Sequence, residues 1–255
     1  MNDNLNIIDV TTGNIDEVGV YCLKDRKSAG FNKKVEWFKS KINQGLKMKI
    51  AADDQGKQLG YIEYMPSEIA WRPVNACNYY FIQCILLYAK EAKNKGLGTS
   101  LIHSCEQEAK QNNKAGICTL TSDGAWIANK SLFIKNGFII ANKLGRFELM
   151  YKRFNVDSQI PQLNNWINQQ EKYQGWNLIY SDQCPWHDKS ITDIEHAAVK
   201  KGIKLRIINL KTPEEAQHGP SGYGTYALIK DGKLLADHYI SKTRFENILK
   251  KELKN

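Results

Sequence analysis

The strongest constraint on how this chain can fold is a strand-to-helix turn in residues 89–102, which read Ala-Lys-Glu-Ala-Lys-Asn-Lys-Gly-Leu-Gly-Thr-Ser-Leu-Ile. Before it runs an apolar, aromatic-rich stretch, residues 78–89, of strand type. After it, Leu101, Ile102, Cys105 and Ala109 recur at helical spacing as far as Gln111. Glycine is a poor helix former, so Gly96 and Gly98 at the start of that helix need a reason beyond propensity. The first-turn N–H groups of a helix have no intrahelical partner, and the helix dipole adds partial positive charge there. Positions without side chains let a phosphate reach those groups, and Lys93 and Lys95 add flexible positive charge. The spacing is not that of a P-loop, because no Gly-Lys-Ser/Thr follows, nor of a dinucleotide fingerprint, which needs a third glycine. A plain flexible turn is the competing reading of the two glycines alone.

Around this turn the elements alternate in the manner of an α/β (α+β) protein. Residues 6–10 read as a strand, and Asp16–Phe38 as helical with a polar break near Gly30. Strands follow at 47–54, 58–66 and 78–89, then the helix Gly98–Gln111, a strand at 116–122, a helix from Ala125 to Asn136, and two strands, "GFIIANKL" and "RFELMYKRF". Residues 157–174, rich in Asn and Gln, mark a junction with a short helix around Leu163–Tyr173. A second pattern then begins: strand 176–181, a helix after Cys184, strand 204–210, the Gly-rich loop 218–224, a hairpin about Asp231-Gly232 and a final helix. The expected organisation is a domain at 1–156, with a mixed, mostly antiparallel sheet flanked by helices, the junction, and a small β-α-β-β-α domain at 175–255.

Charge points to the first of these. Its 22 Lys and Arg against 15 Asp and Glu leave +7, whereas the remainder, with 14 against 12, carries +2. The basic half is therefore the place to look for an anionic ligand. No dense basic run interleaved with aromatic residues suggests a nucleic-acid surface. No window has the roughly 18 apolar residues of a membrane span, and the polar start "MNDNLNIIDV" has no apolar signal block, so a cytoplasmic location is expected. The six cysteines are scattered without a Cys-x-x-Cys pair, which argues against a disulfide framework and a structural zinc site, and no metal is expected.

With these elements in view, Lys93-Asn94-Lys95-Gly96-Leu97-Gly98 resembles the coenzyme A pyrophosphate motif of the GNAT superfamily of N-acetyltransferases, Gln/Arg-x-x-Gly-x-Gly/Ala, with Lys93 in the first position. About 40 residues on, "SLFIKNGF" (131–138) is similar to that family's helix-ending segment, and the resemblance covers residues 5–154. It implies an acetyl-CoA or other acyl-CoA co-substrate held by Lys93, Asn94, Lys95, Gly96, Leu97, Gly98 and Thr99. It also implies backbone contacts from Ile85, Leu86 and Leu87 to the pantetheine and acyl carbonyl, and a contact from Asn129. The implied reaction is direct transfer of the acyl group to a small-molecule or peptide amine.

The catalytic residues are less well marked. The family often places an acidic tyrosine where this chain has Phe133, and a glutamate where it has Gln83 and Cys84. Glu63 and Glu148 are strand carboxylates that offer a base, and Tyr64 is a phenol close to the central strands. A cysteine acyl intermediate at Cys84 lacks a histidine nearby in sequence.

In the second domain Cys184-Pro185-Trp186-His187 follows a strand and begins a helix, where a thiol's pKa is lowered. The segment resembles the thioredoxin fold, and together with the preceding domain the chain resembles acetyltransferases carrying a C-terminal YoaP-like domain. His187 replaces a resolving cysteine, which rules out an internal dithiol cycle, and Gly224 stands where that fold usually has a proline. Two further readings stay open: a non-catalytic acyl-CoA sensor with a partner-binding second domain, and a monothiol redox protein using Cys184. The acceptor amine and the oligomeric state have no sequence signal.

Overall fold

The computed structural model describes residues 6–87 and 96–253. The chain divides into two compact units: Met1–Arg26, Phe38–Ala70 and Val74–Leu163 form the first, and Lys27–Trp37, Trp71–Pro73 and Asn164–Asn255 the second. No shift in composition marks Lys27–Trp37 and Trp71–Pro73 as part of the second unit.

The first unit is built on strands β1 (Asn6–Val10), β2 (Lys47–Ala52), β3 (Gln58–Pro66), β4 (Val74–Asn75), β5 (Tyr79–Leu87), β6 (Gly116–Thr121), β7 (Ile139–Leu144), β8 (Phe147–Arg153) and β9 (Gln162–Leu163). Seven of them form one sheet in the order β1-β2-β3-β5-β6-β8-β7, while β4 and β9 make a separate two-residue pair. Every neighbouring pair in the large sheet is antiparallel except β5–β6. That parallel step is made by helix α3 (Leu97–Gln111), because parallel neighbours need a crossover. The apolar stripe of α3, Leu97, Leu101, Ile102, Cys105 and Ala109, is buried against Ile62, Tyr64, Ile82, Ile85, Ile117 and Met150 of the sheet. The mixed, mostly antiparallel sheet flanked by helices is the fold class expected from sequence.

Local boundaries differ where a side chain or a contact overrides the pattern. The helical region expected at Asp16–Phe38, with a break near Gly30, is a single turn, α1 (Ile15–Val18), and then α2 (Ala29–Lys41); the break falls at residues 19–28, and Gly30 lies inside α2. The helix expected from Ala125 starts only at α4 (Lys130–Lys135): Trp126 has φ 68° and Asn129 caps the helix by accepting a bond from the Ser131 N–H.

The second unit contains β10 (Trp176–Tyr180), α5 (Trp186–Lys200), β11 (Leu205–Asn209), α6 (Pro213–Gln217), β12 (Tyr226–Lys230), β13 (Lys233–Ala236) and α7 (Lys242–Glu252). Its sheet runs β11-β10-β12-β13, with β10–β11 parallel and the other pairs antiparallel. The expected β-α-β-β-α order is present, with α6 added by a capping box in which Thr212 and Glu215 satisfy each other's backbone N–H groups. The hairpin turns at Asp231 and Gly232, both at positive φ (48° and 75°), as a tight two-residue turn requires. The expected helix at 163–173 is a 3-10 segment, Ile167–Lys172. Among the described residues no helix is long and apolar enough to cross a membrane.

Candidate functional site

The central strands of the first unit do not stay together. β5 pairs with β6 only from Tyr79 to Ile82, against Gly116 to Thr119. Beyond that point β5 continues to Leu87 bonded to β3, and β6 continues to Thr121 bonded to β8. The backbone groups on the β6 side of residues 83–87 therefore lie outside the ladder. A bulge marks the divergence: Glu63 is opposite Cys84 and Tyr64 is opposite Ile82, which leaves Gln83 as the extra residue. At the fork, the Thr119 hydroxyl donates to the Ile82 carbonyl at 2.9 Å. Ile85 is buried and Leu86 and Leu87 are half-buried along the freed edge.

Helix α3 begins next in the chain. Its N-cap is Gly96, at φ 76°, and among the described residues no side chain caps it. The Ser100 N–H reaches the Gly96 carbonyl at 2.9 Å, so the N–H groups of Leu97, Gly98 and Thr99 form the first turn without intrahelical acceptors. The two glycines have different work. A Cβ on Gly96 would meet nothing within 4 Å, so glycine is needed there for its left-handed backbone. Gly98 is buried, and a Cβ there would lie 3.0 Å from Leu132 Cδ1 and 3.4 Å from Leu87 Cδ1. Gly98 thus also serves helix packing, beyond the phosphate approach read from sequence.

Of the remaining coenzyme candidates, Leu97 is buried in the core and Thr99 is exposed, its hydroxyl accepting from Asn136 at 3.3 Å. Asn129 is occupied as a cap, with its amide also donating to Asp123 at 2.9 Å. Lys93, Asn94 and Lys95 lie outside the described residues.

The three catalytic candidates occupy distinct surroundings. Ile62 and Tyr64 face the core under α3, so alternation along β3 puts Tyr61 and Glu63 on the opposite face, where the Tyr61 ring lies 5.6 Å from that of Tyr21. Glu63 is fully buried at the bulge. Tyr64 donates to Glu108 at 2.5 Å and burial pushes its phenol pKa far up, which suits packing and not proton transfer. Glu108 also meets Lys49 at 3.2 Å beside a cleft of about 590 Å³ whose wall includes Asp9, Lys47 and Gln111. Glu148 is buried but holds Lys130 at 3.0 Å and Lys143 at 3.4 Å. The hydrogen bond from Lys130, reinforced by Lys143, pulls its carboxyl below the usual range, which weakens it as a base. Phe133, at the position where a tyrosine would be an acid, is fully buried against Phe138.

A second cluster of chemistry lies within the second unit. Cys184 is half-exposed and outside any disulfide, one residue before the N-cap of the 15-residue helix α5. The His187 N–H closes a turn on the Cys184 carbonyl at 3.1 Å. The His187 ring is buried; Nδ1 meets the Ser181 carbonyl at 2.9 Å, and Nε2 is buried with no hydrogen-bond partner. Because a carbonyl only accepts, the proton sits on Nδ1 and Nε2 presents a lone pair. Burial, together with the nearby Arg72 and Lys34, lowers the ring pKa to about 4, so it is neutral at physiological pH. Arg72 is buried over the Tyr223 ring and donates to Thr225 Oγ1 at 3.1 Å, and Lys34 is buried over the Trp37 ring. Neither cation carried a sequence signal, since each lies about 110–150 residues before the thiol.

Comparison with known proteins agrees with the family resemblance. Residues 204–247, from β11 to the middle of α7, match the YoaP-like family. Over 248 residues, 95% of this chain and 97% of the other, the chain is 27% identical to a Bacillus subtilis (strain 168) protein named uncharacterized N-acetyltransferase YoaP. Among solved structures, a GNAT-family acetyltransferase from Staphylococcus aureus Mu50 is similar at 19% identity and TM-score 0.45, covering 59% of this chain and 99% of its own. The PaiA N-acetyltransferase of Thermoplasma acidophilum, solved with coenzyme A, is similar at 15% identity and TM-score 0.44, with the same coverage.

Proposed function

We propose that this YoaP-like chain is an N-acyltransferase, which takes an acyl group from a coenzyme A thioester and passes it directly to an amine. The observation that carries this reading is the conjunction of a parted strand pair and an uncapped helix start, a few residues apart in the first unit. The freed edge of β5 at Ile85, Leu86 and Leu87 suits the amide-bearing pantetheine arm. The N–H groups of Leu97, Gly98 and Thr99 suit the pyrophosphate, with Lys93, Asn94 and Lys95 supplying the adjoining contacts.

In the reaction the amine lone pair attacks the thioester carbonyl, the C–N bond forms and the C–S bond breaks. Backbone N–H groups at the fork stabilise the oxyanion as it develops. Glu63 is the base in this reading: it is the carboxylate that flanks the bulge at the fork, on the face of β3 away from α3. The departing thiolate takes its proton from water, because Phe133 cannot provide one. Holding the two reactants in register supplies much of the acceleration. The acceptor is a small-molecule or peptide amine.

The test is Thr99→Glu. A carboxylate in the first turn suits the helix dipole, so folding is preserved, but it opposes a bound pyrophosphate. Calorimetric titration with acetyl-CoA should show affinity weakened about tenfold or more, roughly 1.4 kcal/mol, with an unchanged melting midpoint. Unchanged affinity would remove the phosphate from this helix.

A further inference from the structure

Building on the transferase reading, we infer that Thr119 is a positioning residue for the transfer: its hydroxyl pins β5 at the base of the fork and so keeps the freed N–H groups aimed at the acyl carbonyl. Ile82 and Thr119 are the last pair of the β5–β6 ladder. Thr119 is buried, and its hydroxyl donates to the Ile82 carbonyl at 2.9 Å; the Leu120 carbonyl, at 3.4 Å, is the poorer acceptor. Two residues further along β6, the Thr121 hydroxyl has turned to β8, where it meets the Glu148 carbonyl at 3.3 Å. The Thr119 bond is thus a side-chain tie across the fork at the point where the backbone ladder ends.

What it holds is a bulge. Gln83, the extra residue, comes directly after Ile82. Its effect shows in the faces of the strand: Ile82 and Ile85 both belong to the core under α3, although they are an odd number of residues apart. From Gln83 onward β5 is bonded to β3 and has parted from β6, so β6 no longer fixes the place of the extra residue. A slip by one residue would carry Ile85 out of the core and exchange the N–H groups that point into the fork with those that point to β3. A carbonyl and the N–H of the following residue share one rigid peptide plane. Fixing the Ile82 oxygen therefore fixes the Gln83 N–H, and with it the start of the bulge. The Thr119 hydroxyl touches no reacting atom and acts through that peptide.

Calorimetric titration of the full chain with acetyl-CoA and, separately, with CoA tests this, because only acetyl-CoA has a carbonyl for the fork to hold. Thr119→Val keeps the shape of the side chain and removes the hydroxyl. It should weaken acetyl-CoA by about threefold to tenfold, the net strength of one hydrogen bond, and leave CoA unchanged; Thr119→Ser should restore the acetyl-CoA affinity. Isotope-edited infrared spectra of bound acetyl-CoA, labelled at the carbonyl carbon, give a second readout. The carbonyl band should lie at higher frequency in Thr119→Val than in the unaltered chain or Thr119→Ser, because misaimed donors polarise it less. A threonine that only packs would lower the melting midpoint when replaced and move neither readout.

Equal affinity changes for the two ligands, or an unmoved carbonyl band in Thr119→Val, would overturn the role of Thr119 and leave the transferase reading standing. An unaltered chain that binds neither ligand would overturn both. If the valine variant does not fold, Thr119→Ala against Thr119→Ser makes the same comparison.

Discussion

Replacing Gly30 by alanine tests the packing around the Cys184 loop, because two principles predict opposite signs. Gly30 is the second residue of α2 and has an ordinary helical backbone, so propensity alone predicts that alanine stabilises the helix by about 1 kcal/mol. The structure predicts the reverse. The new Cβ would sit 2.2 Å from the Pro185 carbonyl oxygen, 3.2 Å from the carbonyl carbon and 3.3 Å from Asp188 Cβ. An ordinary separation is about 3.5 Å, so main chain must move by roughly 1.3 Å. The obstacle is a backbone carbonyl at the cap of α5, which has no rotamer to change. Overpacking of this kind costs about 1–3 kcal/mol, and the rigid obstacle puts it at the upper end. Set against the propensity gain, the net loss is roughly 2 kcal/mol, or a melting midpoint lower by about 4–8 °C for a chain of this size. Scanning calorimetry of the two proteins side by side reads it directly. A midpoint that rises would mean that α2 does not pass over Pro185 as described.

Two further outcomes follow from buried titratable groups. His187 has a folded pKa of about 4, below its unfolded value near 6.5, so its contribution to stability is full above pH 6.5 and is lost as the pH falls toward 4. The loss approaches about 3 kcal/mol. Urea unfolding at pH 7.5, 5.5 and 4.5 should show this slope, and His187→Leu, though less stable, should flatten it; the same slope in both proteins would acquit the histidine. The carboxylates held low, Glu106 and Glu148, lose their contribution as the pH falls through and below the ordinary carboxylate value of 4.5, so they overlap the acid end of that window and do so in both proteins alike. In the first unit, Glu63→Gln should lower kcat by about 10²–10⁴ while acetyl-CoA affinity is retained, and an unaffected kcat would exclude Glu63 as the base.

The parts of this fold that were legible in the sequence are those set by neighbours along the chain. The stripe Leu101, Ile102, Cys105 and Ala109 is buried as its spacing predicts, and Asp231-Gly232 turns a hairpin because only such residues tolerate two successive positive φ angles. The misread boundaries have one local cause and one distant one. Asn129 was legible as a polar residue on a helix, yet its amide could serve as a cap as well as a ligand contact, and in the structure it caps. Gly30 looked like a helix break, because glycine's absent side chain says that something comes close without saying what. Here it is Pro185, 155 residues away in sequence.

The same asymmetry governs the proposed coenzyme site. A cradle made of backbone N–H groups needs only a strand, a turn and a helix in succession, so it leaves its mark in a dozen consecutive residues. The gap beside β5 does not, since it depends on where β6 stops pairing and on a bulge at Gln83 that exists only in relation to β3. The surroundings of His187 are further still from any motif, because Cys184 lies three residues before it in sequence while Lys34 and Arg72 arrive by tertiary packing. Gly98 shows why even the local signal was ambiguous. The absence of a Cβ lets an anion approach the helix start and equally lets Leu132 approach it, and the side chain of Leu132 is what the structure places there. A glycine motif reports close approach, and the identity of the approaching group has to come from the uncapped N–H groups beside it. Those groups, at Leu97 and Thr99 as much as at Gly98, are why Thr99→Glu is a cleaner probe of the coenzyme than any substitution of the glycine itself.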